Sequence, residues 1–133
     1  DPWVESLHAS GRSPDHYRKR IIRSVLVTDD LDRDWRPVRT AERYRMQLYR
    51  RFFEESNEGF GEDGEPIPQT WIVGDVSDCV DQLEAFVRAF GITDLVTMAV
   101  PPGLPVDALN HSHERLFKVV VPQLKARLNA STT

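Results

Sequence analysis

One stretch, Gln69–Pro101 (QTWIVGDVSDCVDQLEAFVRAFGITDLVTMAVP), limits what this chain can fold into. Thr70–Val73 is a short apolar run that Gly74 breaks. Asp75 stands where a helix N-cap belongs, and Asp78 follows at the capping-box position. From Val76 onward, Cys79, Val80, Leu83, Phe86, Val87 and Phe90 share one helical face, so a helix is expected over Val76–Phe90. Gly91 supplies the stop, because glycine enters the left-handed region at little cost. Leu95–Val100 is a second apolar run, closed by Pro101 and Pro102. Two apolar strands joined by an amphipathic helix make a parallel βαβ unit, with a right-handed crossover expected.

The flanking sequence repeats the pattern. Pro2–Ala9 reads as the end of a helix, with Trp3, Val4 and Leu7 at helical spacing, and GRSPD after it is loop chemistry. His16–Arg20 is polar and basic. Ile21–Thr28 is β-branched and nearly continuous in its apolar run, as buried parallel strands are. Arg36–Asn57 reads as the longest helix, with Val38, Ala41, Tyr44, Leu48, Tyr49 and Phe52 as its buried stripe. Glu58–Pro68 is glycine, proline and acid, an exposed connector. Val106–Leu128 reads as a final helix with a wide apolar arc, kinked or broken at Pro122, and Asn129–Thr133 as a polar tail. Three strand–helix units in succession make the fold class α/β, with parallel strands.

The 133 residues fit one domain, and 40% hydrophobic residues are enough for a core. A net charge of −4 argues against a general nucleic-acid binder. One cysteine excludes an internal disulfide framework and any multi-cysteine zinc site, so a reducing, cytoplasmic compartment is the expectation. No apolar run approaches the roughly 20 residues that span a bilayer, and no membrane partner is expected. The chain opens DPWVESLHASG without a methionine, which suggests a piece of a longer chain, a processed chain or a trimmed one.

Several residues invite a chemical role. Asp29, Asp30, Asp32 and Asp34 crowd one segment, yet the segment lacks the glycine and terminal glutamate of a calcium hand. An acid-rich helix start, complementing the helix dipole, is the expected role. Arg36, Arg39, Arg43 and Arg50 fall together as an anion stripe or, as expected here, a solvated face. Arg45 projects from the apolar stripe, where its head must reach water or a carboxylate. His111 and His113 flank Ser112 and diverge on a helix, so they share no metal there. Cys79, on the apolar face, is expected to be a buried and inert thiol. No Ser–His–Asp order, P-loop or dinucleotide glycine fingerprint is present.

In order and wording, three segments resemble the C-terminal part of the luciferase-like monooxygenase superfamily. IRSVLVTDDLDRDWRP is similar to that family's sixth strand and following helix start. IVGDVSDCVDQLEAFVRAFGITDLVTM is similar to its seventh strand, helix start and eighth strand, with Val76 where proline is common. ERLFKVVVPQLKARL is similar to its closing helix. The resemblance implies three closing staves of a (β/α)8 barrel and a flavin-dependent oxidoreductase, a monooxygenase. FMN or deazaflavin would sit at the barrel mouth of the intact enzyme, with none expected on this piece alone. Mouth positions lie at the C-terminal ends of strands, which makes Thr28, Gly74 and Met98 the cofactor-contacting candidates. At Gly74 a phosphate seat competes with capping by Asp75, whose charge repels phosphate, and capping is the expected role. The implied partners are the missing N-terminal half or a second copy, together with a small-molecule substrate. The alternative is a stand-alone α/β interaction module that pairs through an open strand edge or the arginine-rich helix face. A small self-sufficient open sheet is a third arrangement the pattern allows.

Overall fold

A computed structural model describes residues 2–53, 66–98 and 102–130, with the side chains of 50–53 left aside. The elements in chain order are α1 (Pro2–Ala9), a 3-10 turn (Pro14–His16), β1 (Arg20–Val27), α2 (Leu31–Phe53), β2 (Trp71–Gly74), α3 (Val76–Phe90), β3 (Asp94–Met98), α4 (Val106–Arg115), a π-helical turn (Leu116–Val120) and α5 (Val121–Ala130). The fold is α/β, and its three strands are parallel.

The strand order is β2-β1-β3, which puts β1 in the middle. Consecutive barrel staves pair in chain order, so the expectation of three successive closing staves is corrected. β3 passes over β2 and pairs with β1 instead. The two ladders on β1 are staggered. β2 pairs with its carboxyl half, Ser24–Val27, and β3 with its amino half, Arg20–Ser24. Ser24 alone belongs to both.

Helices cover both faces, again unlike the outer ring of a barrel. Val25, Val27 and Ile72 face Cys79, Val80 and Leu83 of α3, with Leu116, Val120 and Leu124 behind them. Leu26, Trp71 and Val73 face the other way, onto Trp35 and Val38 of α2. Each fully buried aliphatic side chain contributes on the order of 1.5–3 kcal/mol.

The start and stop signals of α3 are realised. The Asp75 carboxylate accepts the Asp78 N–H at 2.9 Å, and the Asp78 carboxylate accepts the Asp75 N–H at 3.3 Å. Gly91 closes the helix in the left-handed region at φ 58°. Cys79, Val80 and Leu83 are buried, whereas Phe90 is exposed at the end of the same stripe.

The α2 register differs from its expected form. The helix begins at Leu31, not Arg36, because Asp30 caps it: its carboxylate accepts the Arg33 N–H at 3.0 Å. Trp35 therefore enters the helix and stacks edge-on against Trp71, with centroids 5.1 Å apart. That contact turns Trp35, Val38, Arg39 and Glu42 inward and leaves Tyr44 and Tyr49 exposed. The expected stripe through Tyr44 and Tyr49 is thus overturned, and Phe52 lies outside the described side chains. The arginine-rich face is broken up as well. Arg39 is buried over the Trp35 ring, Arg43 is half-buried, and Arg50 lies outside the described side chains. Residues 58–65 of the expected connector, 99–101 after β3 and 131–133 of the tail fall outside the described residues.

The last helix is divided into α4 and α5 just ahead of Pro122, in line with the expected interruption there. It widens into the π turn just before it, where the Val121 N–H donates to the Leu116 carbonyl. Proline has no N–H and its ring crowds the preceding turn, and one wide turn relieves both. The turn ahead of α4 lies against α2. A Cβ on Gly103, at φ 88°, would stand 2.5 Å from the Pro37 carbonyl oxygen. Gly103→Ala should therefore lower the urea midpoint more than Gly91→Ala, which has a left-handed backbone but open space. The backbone alone costs about 1–2 kcal/mol at either site, and overlap adds about 1–3 kcal/mol at Gly103. Equal midpoints would contradict the close approach.

Candidate functional site

The stagger of the two ladders makes a crevice at the carboxyl end of β1. On the β2 side this end is paired, with the Thr28 N–H donating to the Gly74 carbonyl at 2.8 Å. On the β3 side the described strand stops at Met98, opposite Ser24. Helix α4 takes that place. The Ser112 hydroxyl, on a buried residue, accepts the Val27 N–H at 2.9 Å and stands in for a strand partner. Next to it lies a crevice of about 270 Å³, bordered by Thr28, Asp29, Arg33, Asp34, His111 and Arg115 among others. In parallel α/β sheets, ligands bind outside the carboxyl ends of strands, where the strand order reverses. With order β2-β1-β3, the reversal falls beside this end of β1.

The crevice is densely paired. The Thr28 hydroxyl donates to Asp34 Oδ2 at 2.6 Å and accepts the Asp30 N–H at 3.0 Å. Arg33 forks onto Asp34, with Nε–Oδ1 2.6 Å and Nη2–Oδ2 2.8 Å. Arg115 forks onto Asp29, both bonds at 2.7 Å. The Arg33 guanidinium, ahead of the Thr28 hydroxyl, holds the Asp34 carboxyl below the ordinary aspartate range, with burial working against it. In the second pair the arginine is the fixed member. The Arg115 side chain is 18% exposed and that of Asp29 is 70% exposed. Partly buried forks of this kind set geometry, whereas exposed ion pairs add little to stability.

Within the aspartate segment Asp30 caps α2, Asp34 holds Arg33, and Asp29 holds Arg115. Among the described residues, no three His, Cys, Asp or Glu side chains gather closely enough to hold a metal ion. Likewise, no helix among them is long and apolar enough to cross a membrane.

The three mouth candidates do not come together as one site. Thr28 lies at the crevice, but it is buried and its hydroxyl is spent on Asp34 and Asp30. Gly74 touches Thr28 through the backbone only. A Cβ there would meet the Asp78 Cβ at 2.6 Å, so the space a phosphate would need is already filled by the capping carboxylate. Met98 is half exposed on the open side of the sheet, and along β1 its level is four residues short of Thr28, roughly 13 Å at about 3.3 Å per residue. These residues do not fit a flavin phosphate: the N-terminus of α3 is self-capped and carries two carboxylates.

The remaining candidates settle locally. Arg45 meets a carboxylate, the buried Glu42 of its own helix, with Nε–Oε1 2.9 Å and a second bond from Nη2 to Oε2. This is an i, i+3 pair within α2, not a site. His111 borders the crevice, while His113 turns away to stack near Phe117. Sequence reasoning passed over Ser112 and Arg115. For Ser112 the signal was present: a small hydroxyl residue with Ala108, Leu109 and Leu116 at helical spacing around it.

Two outcomes follow from the burial and the pairing. Cys79 is fully buried, and burial, then the nearby Asp78 and Asp75 charges, push its thiol up to about 12. It should resist an aromatic disulfide reagent in the folded chain and react fully in urea; fast reaction without urea would contradict its position. Because the Asp34 carboxyl titrates lower folded than unfolded, the pair stabilises the fold above the ordinary aspartate pKa of about 3.9. That contribution is lost as pH falls through the lower, folded-state value. Asp34→Asn should lower the unfolding midpoint at pH 7 and converge with wild type at the acid end; a constant gap across pH would contradict it.

The chain matches no protein-family model, no curated protein and no solved structure.

Proposed function

We propose that this chain is the C-terminal portion of a flavin-dependent oxidoreductase, a monooxygenase similar in motif order to the luciferase-like enzymes. In this reading the crevice beside β1 is its share of the substrate-facing end of the sheet. The single observation that carries the reading is the place of that crevice, at the carboxyl end of a parallel strand where the order reverses. The groups that hold FMN or deazaflavin belong to another part of the protein, since Gly74 and the start of α3 offer no phosphate seat.

The chain's own residues bind and orient a small substrate. Arg115 is the group for the task. Its stem is sheltered, its fork borders the crevice, and its partner Asp29 lies on the solvent side. A substrate carboxylate or similar anionic group replaces Asp29 on that fork without moving the arginine. Thr28, Asp34 and Arg33 form the fixed polar wall opposite.

A second reading, a stand-alone α/β interaction module, is favoured by the open edge of β3. The two part company over flavin. The full-length protein carrying this segment should turn over reduced flavin. Arg115→Met should then raise KM at least about tenfold, the loss of one charge-assisted fork, with flavin affinity unchanged. A full-length protein that neither binds nor oxidises reduced flavin would overturn the oxidoreductase reading.

A further inference from the structure

In the forks Arg18–Asp94, Arg33–Asp34 and Arg45–Glu42 the acid is the sheltered member and the arginine the more exposed one. The fork of Arg115 on Asp29 is reversed, with the arginine sheltered and the acid mostly in solvent. The difference governs exchange. A carboxylate that leaves a sheltered guanidinium regains water, while the guanidinium keeps its need for a counter-charge. Such a seat favours replacement of one anion by another over loss of the anion. Among the described residues, Asp29 is the hydrogen-bond partner of the Arg115 head.

The residues on either side of Asp29 are fixed. The Thr28 N–H donates to the Gly74 carbonyl, and the Thr28 hydroxyl accepts the Asp30 N–H at 3.0 Å. Asp30 in turn caps α2. The Asp29 backbone therefore stays in place, and only its side chain has to swing for the fork to open. At about 270 Å³ the crevice lies at the small end of ligand pockets, which run from about 300 to 1,000 Å³. It admits a small acid.

We propose that Asp29 is a built-in occupant of the anion seat on Arg115, displaced by the carboxylate of a small incoming acid. The inference deepens the reading of Arg115 as the seat of a substrate anion and rests on it, but not on flavin chemistry. The contact is autoinhibitory. An incoming acid must open an existing fork, and the displaced Asp29 stays close enough to repel it. Affinity for small acids is therefore low. Uncharged analogues are rejected, because they would leave the sheltered arginine without a counter-charge.

Acetate is the probe, and acetamide, its uncharged counterpart, is the control. In the full-length protein carrying this segment, isotope-labelled in its arginines, the Arg115 Nε–H signal should move with acetate and not with acetamide. The half-saturating acetate concentration should fall at least about tenfold in Asp29→Asn and in Asp29→Ala, because no charge-assisted fork has to open first. If one variant fails to fold, the other decides. A pair with a structural role only would lower the unfolding midpoint in both variants and leave the acetate concentration unchanged, which overturns the proposal. An equal response to acetate and acetamide overturns it too. The two readings fail separately. Unchanged acetate affinity in the Asp29 variants, with KM still raised by Arg115→Met, removes the built-in occupant alone. Tighter acetate binding in those variants, with KM unmoved by Arg115→Met, leaves an anion seat that is not the substrate's and overturns the substrate reading.

Discussion

Everything in this molecule depends on β1 being held from both sides at different heights. Its carboxyl half is paired to β2 and its amino half to β3. The stagger decides where the chain is closed and where it is open. At the carboxyl end, β2 supplies one flank and α4 the other, and Val25, Leu26 and Val27 are sealed between two helical layers. At the amino end, β3 supplies the flank, and among the described residues Ile22, Val96 and Met98 stay exposed. One offset ladder thus produces both the polar crevice and the apolar shelf, at opposite ends of one strand.

The helices are fixed by few contacts. α3 is anchored by its own caps and by burial of Cys79, Val80 and Leu83. α2 is held by Trp35 on Trp71 and by Val38, and the same contact drags Glu42 and Arg39 inward. Burying a carboxylate is costly without a partner, and Arg45 on the next turn supplies it. The long helix therefore carries polar groups inside because its rotation is set by two tryptophans, not by its own stripe.

How much of this the sequence disclosed follows from range. Local signals were legible. The Asp75–Asp78 box, the Gly91 stop, the buried Cys79 and the three strand–helix units each depend on neighbours within a few residues. The acid-rich helix start is there, with Asp30 as cap and Asp32 and Asp34 in the first turn, but the expected range Arg36–Asn57 begins one turn too late. With Trp35 left out, the stripe was rotated by the wrong reference point, and Tyr44 and Tyr49 were placed inside. Strand order was not legible, because apolar runs and caps say that a strand returns to the sheet but not to which side of it. The site went with the order. Ser112 and Arg115 reach the carboxyl end of β1 and the Asp29 after it from α4, beyond the described end of β3.

The position of β1 is open to a direct measurement. Isotope-labelled chain would give nuclear Overhauser contacts between backbone protons of paired strands. With β1 in the middle, contacts appear around Ile22 and Val96, and others around Val25 and Ile72, with none joining β2 to β3. Contacts between Trp71–Gly74 and Asp94–Met98, with none from β1 to β3, would put the strands in chain order and contradict it.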